Sequence, residues 1–137
     1  MSNSTTVSPQ MVQTIVQQYF AASRSPHKAD SMADCFAETC IHQDPAEAPI
    51  LKSRDEVRQF LQAIVDLFLS VELTEEFVSI NGQAAAVKWK GHGISKNGAE
   101  VHFEGIDVFE INADGMIQTL KAYWNPSTML AQLQEKQ

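Results

Sequence analysis

Asp107 is the residue whose surroundings in the sequence say most about chemistry. Alternate residues around it are apolar or glycine, and a period of two places them on one face of a strand. That face comprises Val101, Phe103, Gly105, Asp107, Phe109 and Ile111. An unpaired carboxylate buried there is costly, so its pKa should rise and the neutral acid become a hydrogen-bond donor. The strand pattern leaves an alternative open for Asp107. The carboxylate could pair with a Lys or Arg, or lie at a sheet bulge that faces water.

Tyr19 and Asp44 are the other two candidates for proton chemistry. Tyr19 shares the apolar stripe of a helix with Val12, Ile15 and Val16, so its hydroxyl needs a partner or a cavity. Asp44 precedes a proline, and taken alone it is typical of an ordinary turn. Tyr19 taken alone is typical of a core tyrosine whose hydroxyl has a hydrogen-bond partner. Together, a donor tyrosine, a protonated acid and a second carboxylate can hold an enolate oxygen while the carboxylate moves a proton.

The hydrophobic periodicity predicts the elements that position these residues. Ser8-Pro9 and the capping box at Ser53 begin two helices, and residues 40–51 read as irregular. The predicted helices are 9–23, 29–36, 53–69 and one opened by Pro126; the predicted strands are 71–81, 84–94, 100–111 and 116–124. Helices followed by a hairpin-linked antiparallel meander indicate an α+β fold with a pocket between the sheet and a long helix. We expect a single domain over residues 8–135 and a flexible tail over residues 1–7.

Composition excludes several classes of function. The chain has 137 residues and a net charge of -7, which argues against binding to nucleic acid or to an anionic membrane surface. The N-terminus has no signal-peptide pattern and no apolar run could span a membrane, so a cytoplasmic location is expected. Cys35 and Cys40 are expected to be small buried residues. No metal-ligand set or phosphate-binding loop is evident in the spacing, and His92 and His102 are expected on a solvated sheet face.

Three segments of the chain resemble one known family. They are Val16-Gln17-Gln18-Tyr19-Phe20-Ala21-Ala22, Gln43-Asp44-Pro45 and Gly105-Ile106-Asp107-Val108-Phe109. In order and spacing they are similar to the catalytic segments of Δ5-3-ketosteroid isomerases, within the NTF2-like/SnoaL-like group. The similarity extends over residues 12–126 and implies a cystatin-like cone, with helices packed on a curved antiparallel sheet. These isomerases are a well-known example of an aspartic acid kept neutral by an apolar site.

The resemblance also implies a role for each matching residue. Asp44 would take a proton from the carbon between a carbonyl and a double bond, and return it two carbons along. Tyr19 and protonated Asp107 would donate to the dienolate oxygen. The residues implied to line the substrate pocket are Phe36, Phe60, Leu61, Phe103, Leu120 and Trp124. The substrate would be a steroid or a similar small apolar ketone, without cofactor or metal, in a homodimer.

Some positions depart from the family pattern. Phe36 and Leu61 stand where some members have tyrosines that support the catalytic tyrosine, and Tyr123 is the only other tyrosine here. His42 could orient Asp44, but an exposed loop position is the expectation.

Two other functions remain open from the sequence. One is a non-catalytic module that binds an apolar ligand or associates with a partner. The other is a different SnoaL-like enzyme, such as a polyketide cyclase or an epoxide hydrolase. The hydrolase needs an arginine between two acids, and neither Arg54 nor Arg58 is placed to face inward.

Overall fold

A computed structural model describes residues 7–135 of the chain. It contains four helices and six strands within these residues. In chain order they are α1 Pro9–Ala22, α2 Lys28–Ala33, β1 Phe36–Gln43, β2 Leu51–Ser53, α3 Arg54–Val65, β3 Phe68–Asn81, β4 Ala84–Ser95, β5 Glu100–Ile111, β6 Ile117–Trp124 and α4 Pro126–Leu133. The α+β fold class predicted from the sequence is confirmed.

The two long helices begin where their capping residues predict. The Ser8 hydroxyl accepts from the Met11 backbone N–H at 3.1 Å, and the Ser53 hydroxyl accepts from that of Glu56 at 3.1 Å. Helix α3 ends at Val65 rather than at residue 69, because the chain then alternates between faces in strand β3. Phe68 is 5% exposed whereas the next residue, Leu69, is 71% exposed. That alternation belongs to a strand and not to a helix.

The six strands form one curved, unclosed sheet in the order β2-β1-β6-β5-β4-β3. The predicted meander of β3 to β6 is confirmed, with antiparallel pairing throughout. Strands β1 and β2 were not predicted, and β1 runs parallel to β6. The prediction that placed Phe36 at the end of a helix is therefore wrong, since Phe36 opens β1 opposite Ile117. Parallel pairing between distant segments leaves no local signal in the sequence.

The inner face of the sheet packs against the helices to form the core. Strand β5 alternates strictly, with its odd-numbered residues from Val101 to Ile111 buried and its even-numbered residues exposed. Cys35 and Cys40 are both buried and free, as expected. Of the predicted tail, residues 1–6 lie outside the described residues, while the Val7 side chain is buried in the core. No helix within residues 7–135 is long and apolar enough to span a membrane.

Candidate functional site

A cavity lies between the inner face of the sheet and the helices, and Tyr19, Asp44 and Asp107 all line it. It encloses about 600 Å³ of unfilled space including its mouth. Most of its lining is apolar or aromatic: Met32, Phe60, Leu61, Ile64, Val65, Val71, Leu73, Trp89, Phe103 and Trp124.

Asp107 points inward from the middle of β5 and is 3% exposed. Its Oδ1 accepts a hydrogen bond of 2.9 Å from the indole nitrogen of Trp89 on the neighbouring strand β4. Burial raises the pKa of Asp107 well above its usual value, and the nearby Asp44 carboxylate raises it further, while the Trp89 bond opposes both. The partner is thus an indole and not a Lys or Arg. Burial and the Asp44 charge thus favour the neutral acid, whose other oxygen, Oδ2, can carry the proton.

Asp44 follows the last residue of β1, and the Asp44–Pro45 peptide is cis. Its Oδ1 accepts a hydrogen bond of 2.5 Å from the indole nitrogen of Trp124, at the end of β6. Burial raises the pKa of Asp44 to about 6, and the Trp124 bond opposes this rise. At neutral pH the group is therefore ionised, yet basic enough to accept a proton from a weak acid.

Strand β6 lies between the two aspartates. Ala122 is in register with Asp107 of β5, and on the other side Gln43, the residue before Asp44, pairs in parallel with Lys121, the residue before Ala122. In the adjoining row, Gly105 is the register partner of both Trp89 and Trp124. A methyl group on Gly105 would come within 2.7 Å of atoms of both tryptophans. The absence of a side chain at Gly105 therefore allows Trp89 and Trp124 to pack against each other at this position.

Tyr19 projects from α1 into the same cavity and is 2% exposed. Its ring makes edge-on contacts with Phe20, Phe36 and Phe109, at centroid distances of 5.2, 5.9 and 5.5 Å. Burial, followed by the charges of Asp107 and Asp44, raises the pKa of the Tyr19 hydroxyl well above 10.0. The hydroxyl therefore stays protonated and can only act as a neutral donor or an acceptor. Phe36 stands where some members of the resembled family have a tyrosine that supports the catalytic one. Its ring carries no hydroxyl that could do so.

His42 is buried, and the prediction of an exposed loop position is wrong. Its place in β1, in register with Leu120 of β6, turns the imidazole toward the core. The ring lies between Phe36 and Phe60, at centroid distances of 5.5 and 5.3 Å, and neither ring nitrogen has a hydrogen-bond partner among the described residues. Burial lowers the pKa of His42 to about 4, so the ring is neutral. Its Nε2 lies 4.0 Å from Oδ2 of Asp44.

The predicted substrate-contacting residues divide into two groups. Four line the cavity: Phe60, Leu61, Phe103 and Trp124. Phe36 and Leu120 do not; they are buried in the core, 0% and 1% exposed. Trp89 was not predicted as a site residue, although the alternation along β4 places it on the inner face. Its pairing with Gly105 was the missing information, because that register brings the indole to Asp107.

Neither candidate arginine enters the cavity. Arg54 donates to the backbone carbonyl of Phe36 at 2.9 Å, and Arg58 pairs with Asp55 and Asp30 at the surface. The charged residues in the cavity lining, apart from the two aspartates, are Lys28 and Glu72. Within the described residues, the cavity therefore lacks the arginine between two acids that an epoxide hydrolase of this kind would need.

Comparison with known proteins agrees with this architecture. A steroid Delta-isomerase from Nocardioides simplex is 25% identical over 120 residues, covering 87% of this chain and 94% of the relative. A protein of Xanthomonas campestris pv. campestris, described as a candidate polyketide cyclase, has a similar structure, with a TM-score of 0.78 and 24% identity over 90% of this chain and 97% of its own. The epoxide hydrolase/cyclase-like enzyme SalBIII, which has a role in pyran ring formation in the polyether salinomycin, gives 0.74 and 21% identity, over 87% and 94%.

Its relatives thus include an isomerase, and structures of the same fold include cyclase-like and hydrolase-like proteins. The family model of the SnoaL-like domain matches residues 16–119, which is most of the chain. The protein therefore belongs to the SnoaL-like domain family.

Proposed function

We propose that this protein is an isomerase of the ketosteroid-isomerase type, which moves a double bond in a small apolar ketone. The observation that carries the proposal is the arrangement of Tyr19, Asp44 and Asp107 around one apolar cavity. Asp44 is the base, with a pKa of about 6, while burial raises the pKa of Tyr19 and of Asp107 and so favours their neutral, donating forms. The steroid Delta-isomerase relative supports the same chemistry at 25% identity.

Asp44 acts as the proton shuttle in this proposal. Its carboxylate removes a proton from the carbon between the carbonyl and the β,γ double bond, and the electron pair moves into a dienolate. The protonated Asp44 then returns the proton to the γ carbon, which leaves the conjugated α,β-unsaturated ketone. Because Oδ1 is held by Trp124, the free Oδ2 is the oxygen that accepts and returns the proton. Atoms and charge balance without any further reactant.

Tyr19 and Asp107 stabilise the dienolate oxygen. Negative charge develops on that oxygen, and two neutral donors in an apolar cavity stabilise it more than the ground-state carbonyl. Trp89 donates to Oδ1 of Asp107, so Oδ2 is the oxygen left to carry the acid proton and donate it in a hydrogen bond to the substrate. Keeping Asp107 neutral also prevents a second negative charge from opposing the one that forms on the substrate.

The cavity favours an apolar substrate. It encloses about 600 Å³ including its mouth, and most of the residues that line it are apolar or aromatic. The apolar lining gives binding energy by burial, and the donors orient the carbonyl. A Δ5-3-ketosteroid and a small cyclic β,γ-unsaturated ketone are therefore the two substrates to compare.

The test is a spectrophotometric assay of enone formation from both substrates, on wild type, Asp44→Asn and Asp114→Asn. Asp114 is an exposed turn residue and serves as the matched control. Loss of the base should lower kcat by about 10² to 10⁴ in Asp44→Asn and leave Asp114→Asn unchanged. Tyr19→Phe should lower kcat by about 10²-fold without altering the fold.

A different outcome would redirect the proposal. Wild type that is folded and binds the ketone, yet forms no enone, would favour a non-catalytic module that binds apolar ligands. Enone formation that survives Asp44→Asn unchanged would remove Asp44 as the base. In either case the isomerase proposal would be abandoned in this form.

A further inference from the structure

A second group of donors lies on the outer face of the sheet, away from the cavity. His92 of β4 and His102 of β5 are register partners across the antiparallel pair. Glu100 lies two residues before His102 on the same strand, so its side chain is on the same face. All three are exposed, and none lines the cavity that holds Asp44.

The three side chains already converge. The Nε2 atoms of His92 and His102 lie 3.2 and 3.3 Å from the same oxygen, Oε1 of Glu100. The two imidazole rings are tilted by 44° with centroids 4.9 Å apart, and one donor atom from each residue lies within 4.8 Å of the others. In a tetrahedral zinc site with bonds of about 2.0 to 2.1 Å, neighbouring ligand atoms are about 3.3 Å apart. Two of the three separations therefore already have the length of a tetrahedral edge.

Neighbouring charges do not neutralise this group. Lys88 pairs with Glu76 and Glu104, at 2.7 and 3.0 Å. The Lys90 ammonium lies 3.6 Å from Glu76. Lys88 and Lys90 are thus engaged by other carboxylates, and the ion pairs of Glu100 are those with the two imidazoles.

We propose that His92, Glu100 and His102 form a binding site for a divalent transition-metal ion, with Zn²⁺ as the representative ion. Two imidazoles and one carboxylate select Zn²⁺, Ni²⁺ or Cu²⁺ over Mg²⁺ and Ca²⁺, which prefer oxygen ligands. Three protein ligands leave the fourth tetrahedral position to water. The bound ion would join β4 to β5 close to the hairpin that connects them. The site does not depend on the isomerase proposal, because it shares no residue with the cavity.

The test uses the full chain with any affinity tag removed. Calorimetric titration with ZnCl₂ should give one ion per chain with a Kd in the micromolar range, while MgCl₂ should give no heat of binding. Saturation with Zn²⁺ should raise Tm by about 3 °C or more, since the ion binds the folded state. Imidazole proton signals of His92 and His102 should shift on titration, and those of the buried His42 should not.

Three variants locate the site. His92→Ala and His102→Ala should each weaken Zn²⁺ binding at least about tenfold, because each removes one of three ligands. His27→Ala is the matched control, since His27 is exposed but lies outside the group. It should bind as wild type does. The surface imidazoles would instead be simple hydrogen-bond donors to Glu100 if wild type binds no tighter than millimolar, or if His102→Ala binds equally well. Half an ion per chain with zinc-dependent dimerisation would also overturn an intramolecular site.

Discussion

The indole nitrogen of Trp124 donates a hydrogen bond of 2.5 Å to Oδ1 of Asp44. This contact joins the end of β6 to the end of β1, the one parallel pair in the described sheet. It orients the carboxylate and stabilises its charged form, whereas burial favours the neutral form. The pKa of about 6 results from these two opposing effects.

Trp124→Phe should therefore raise the pKa of Asp44. A phenyl ring keeps most of the apolar contact but cannot donate, so burial acts unopposed. Asp44 must be ionised to act as a base, and the acidic limb of the profile of kcat/KM against pH reports its pKa in the free enzyme. That limb should lie near pH 6 in wild type and move to higher pH in the variant.

Trp89→Phe is the matched comparison, because Trp89 donates to Asp107 rather than to Asp44. It should lower kcat through the loss of an ordered oxyanion donor while its acidic limb stays near that of wild type. Equal displacement of the limb in both variants would contradict a specific effect of Trp124 on Asp44.

His42 and Asp44 should make opposite contributions to the dependence of stability on pH. His42 has a pKa of about 4 in the folded state against 6.5 in its ordinary state, so the unfolded chain binds more protons between these values. Stability is lost as pH falls from 6.5 toward 4. Asp44 is raised from 3.8 to about 6, so the folded chain binds more protons there and its contribution grows as pH falls.

His42→Leu removes only the first of these contributions. Relative to wild type, its free energy of unfolding should be larger (the variant more stable) by about 2 kcal/mol more at pH 5 than at pH 7. Asp44→Asn should show the reverse, with a steeper loss of stability on acidification. Urea denaturation of the three proteins at both pH values measures the difference. A pH-independent gap between His42→Leu and wild type would show that the imidazole is not held neutral in the fold.

The sequence predicts those features that arise from local periodicity. The alternation from Val101 to Ile111 is a period-two pattern within one strand, and it correctly placed Asp107 on the inner face. Ser8 and Ser53 mark helix starts by short-range hydrogen bonds that any capping residue makes. The cavity residues on these elements, Tyr19 and Asp107, could therefore be predicted from the sequence alone.

What the sequence could not provide is register between distant segments. Strand β1 is a strand because it pairs in parallel with β6, some eighty residues later. The sequence does not reveal this pairing, so His42 was predicted to lie in a loop. The approach of Trp124 to Asp44 depends on the same long-range pairing, and that of Trp89 to Asp107 depends on the exact register of the β4–β5 hairpin. The His92–His102 pair likewise depends on the exact register of that hairpin, which the predicted strands did not specify.

Gly105→Ala should damage both stability and activity. Its Cβ would lie 2.7 Å from Cβ of Trp124 and from Cζ2 of Trp89, and 2.8 Å from the backbone oxygen of Tyr123. Relief requires one or both indoles to move, and overpacking of this kind costs about 1 to 3 kcal/mol. Because the indoles hold the two aspartates, kcat should fall together with stability. Thermal unfolding and the enone assay measure the two effects.

Gly82→Ala provides a control of similar size and different cause. Gly82 has a φ of +63° and open space around its Cβ position, so the substitution strains only the backbone. It should lower stability by about 1 kcal/mol and leave kcat unchanged. Loss of activity in this variant, or full activity in Gly105→Ala, would contradict a role in catalysis for the packing of Trp89 and Trp124 at Gly105.

We also propose that the outer face of the sheet pairs two copies of the chain. Ile106 and Tyr123 are register partners there, 45% and 48% exposed, with Val108 beside them at 37%. Apolar side chains grouped on a sheet face are typical of a protein–protein interface. Light scattering should give twice the 15.2 kDa of one chain. Ile106→Lys should be monomeric, because association would bury its ammonium group between the two copies.

Leu130→Lys is the control for this experiment, since Leu130 is 43% exposed but lies on α4 rather than on the sheet. It introduces the same charge at an apolar position of equal exposure, so it should remain dimeric if the interface is the outer sheet face. A monomeric wild type would contradict the proposed dimer. A dimer that persists in Ile106→Lys and dissociates in Leu130→Lys would place the interface at α4, because only the charge buried between two copies opposes their association.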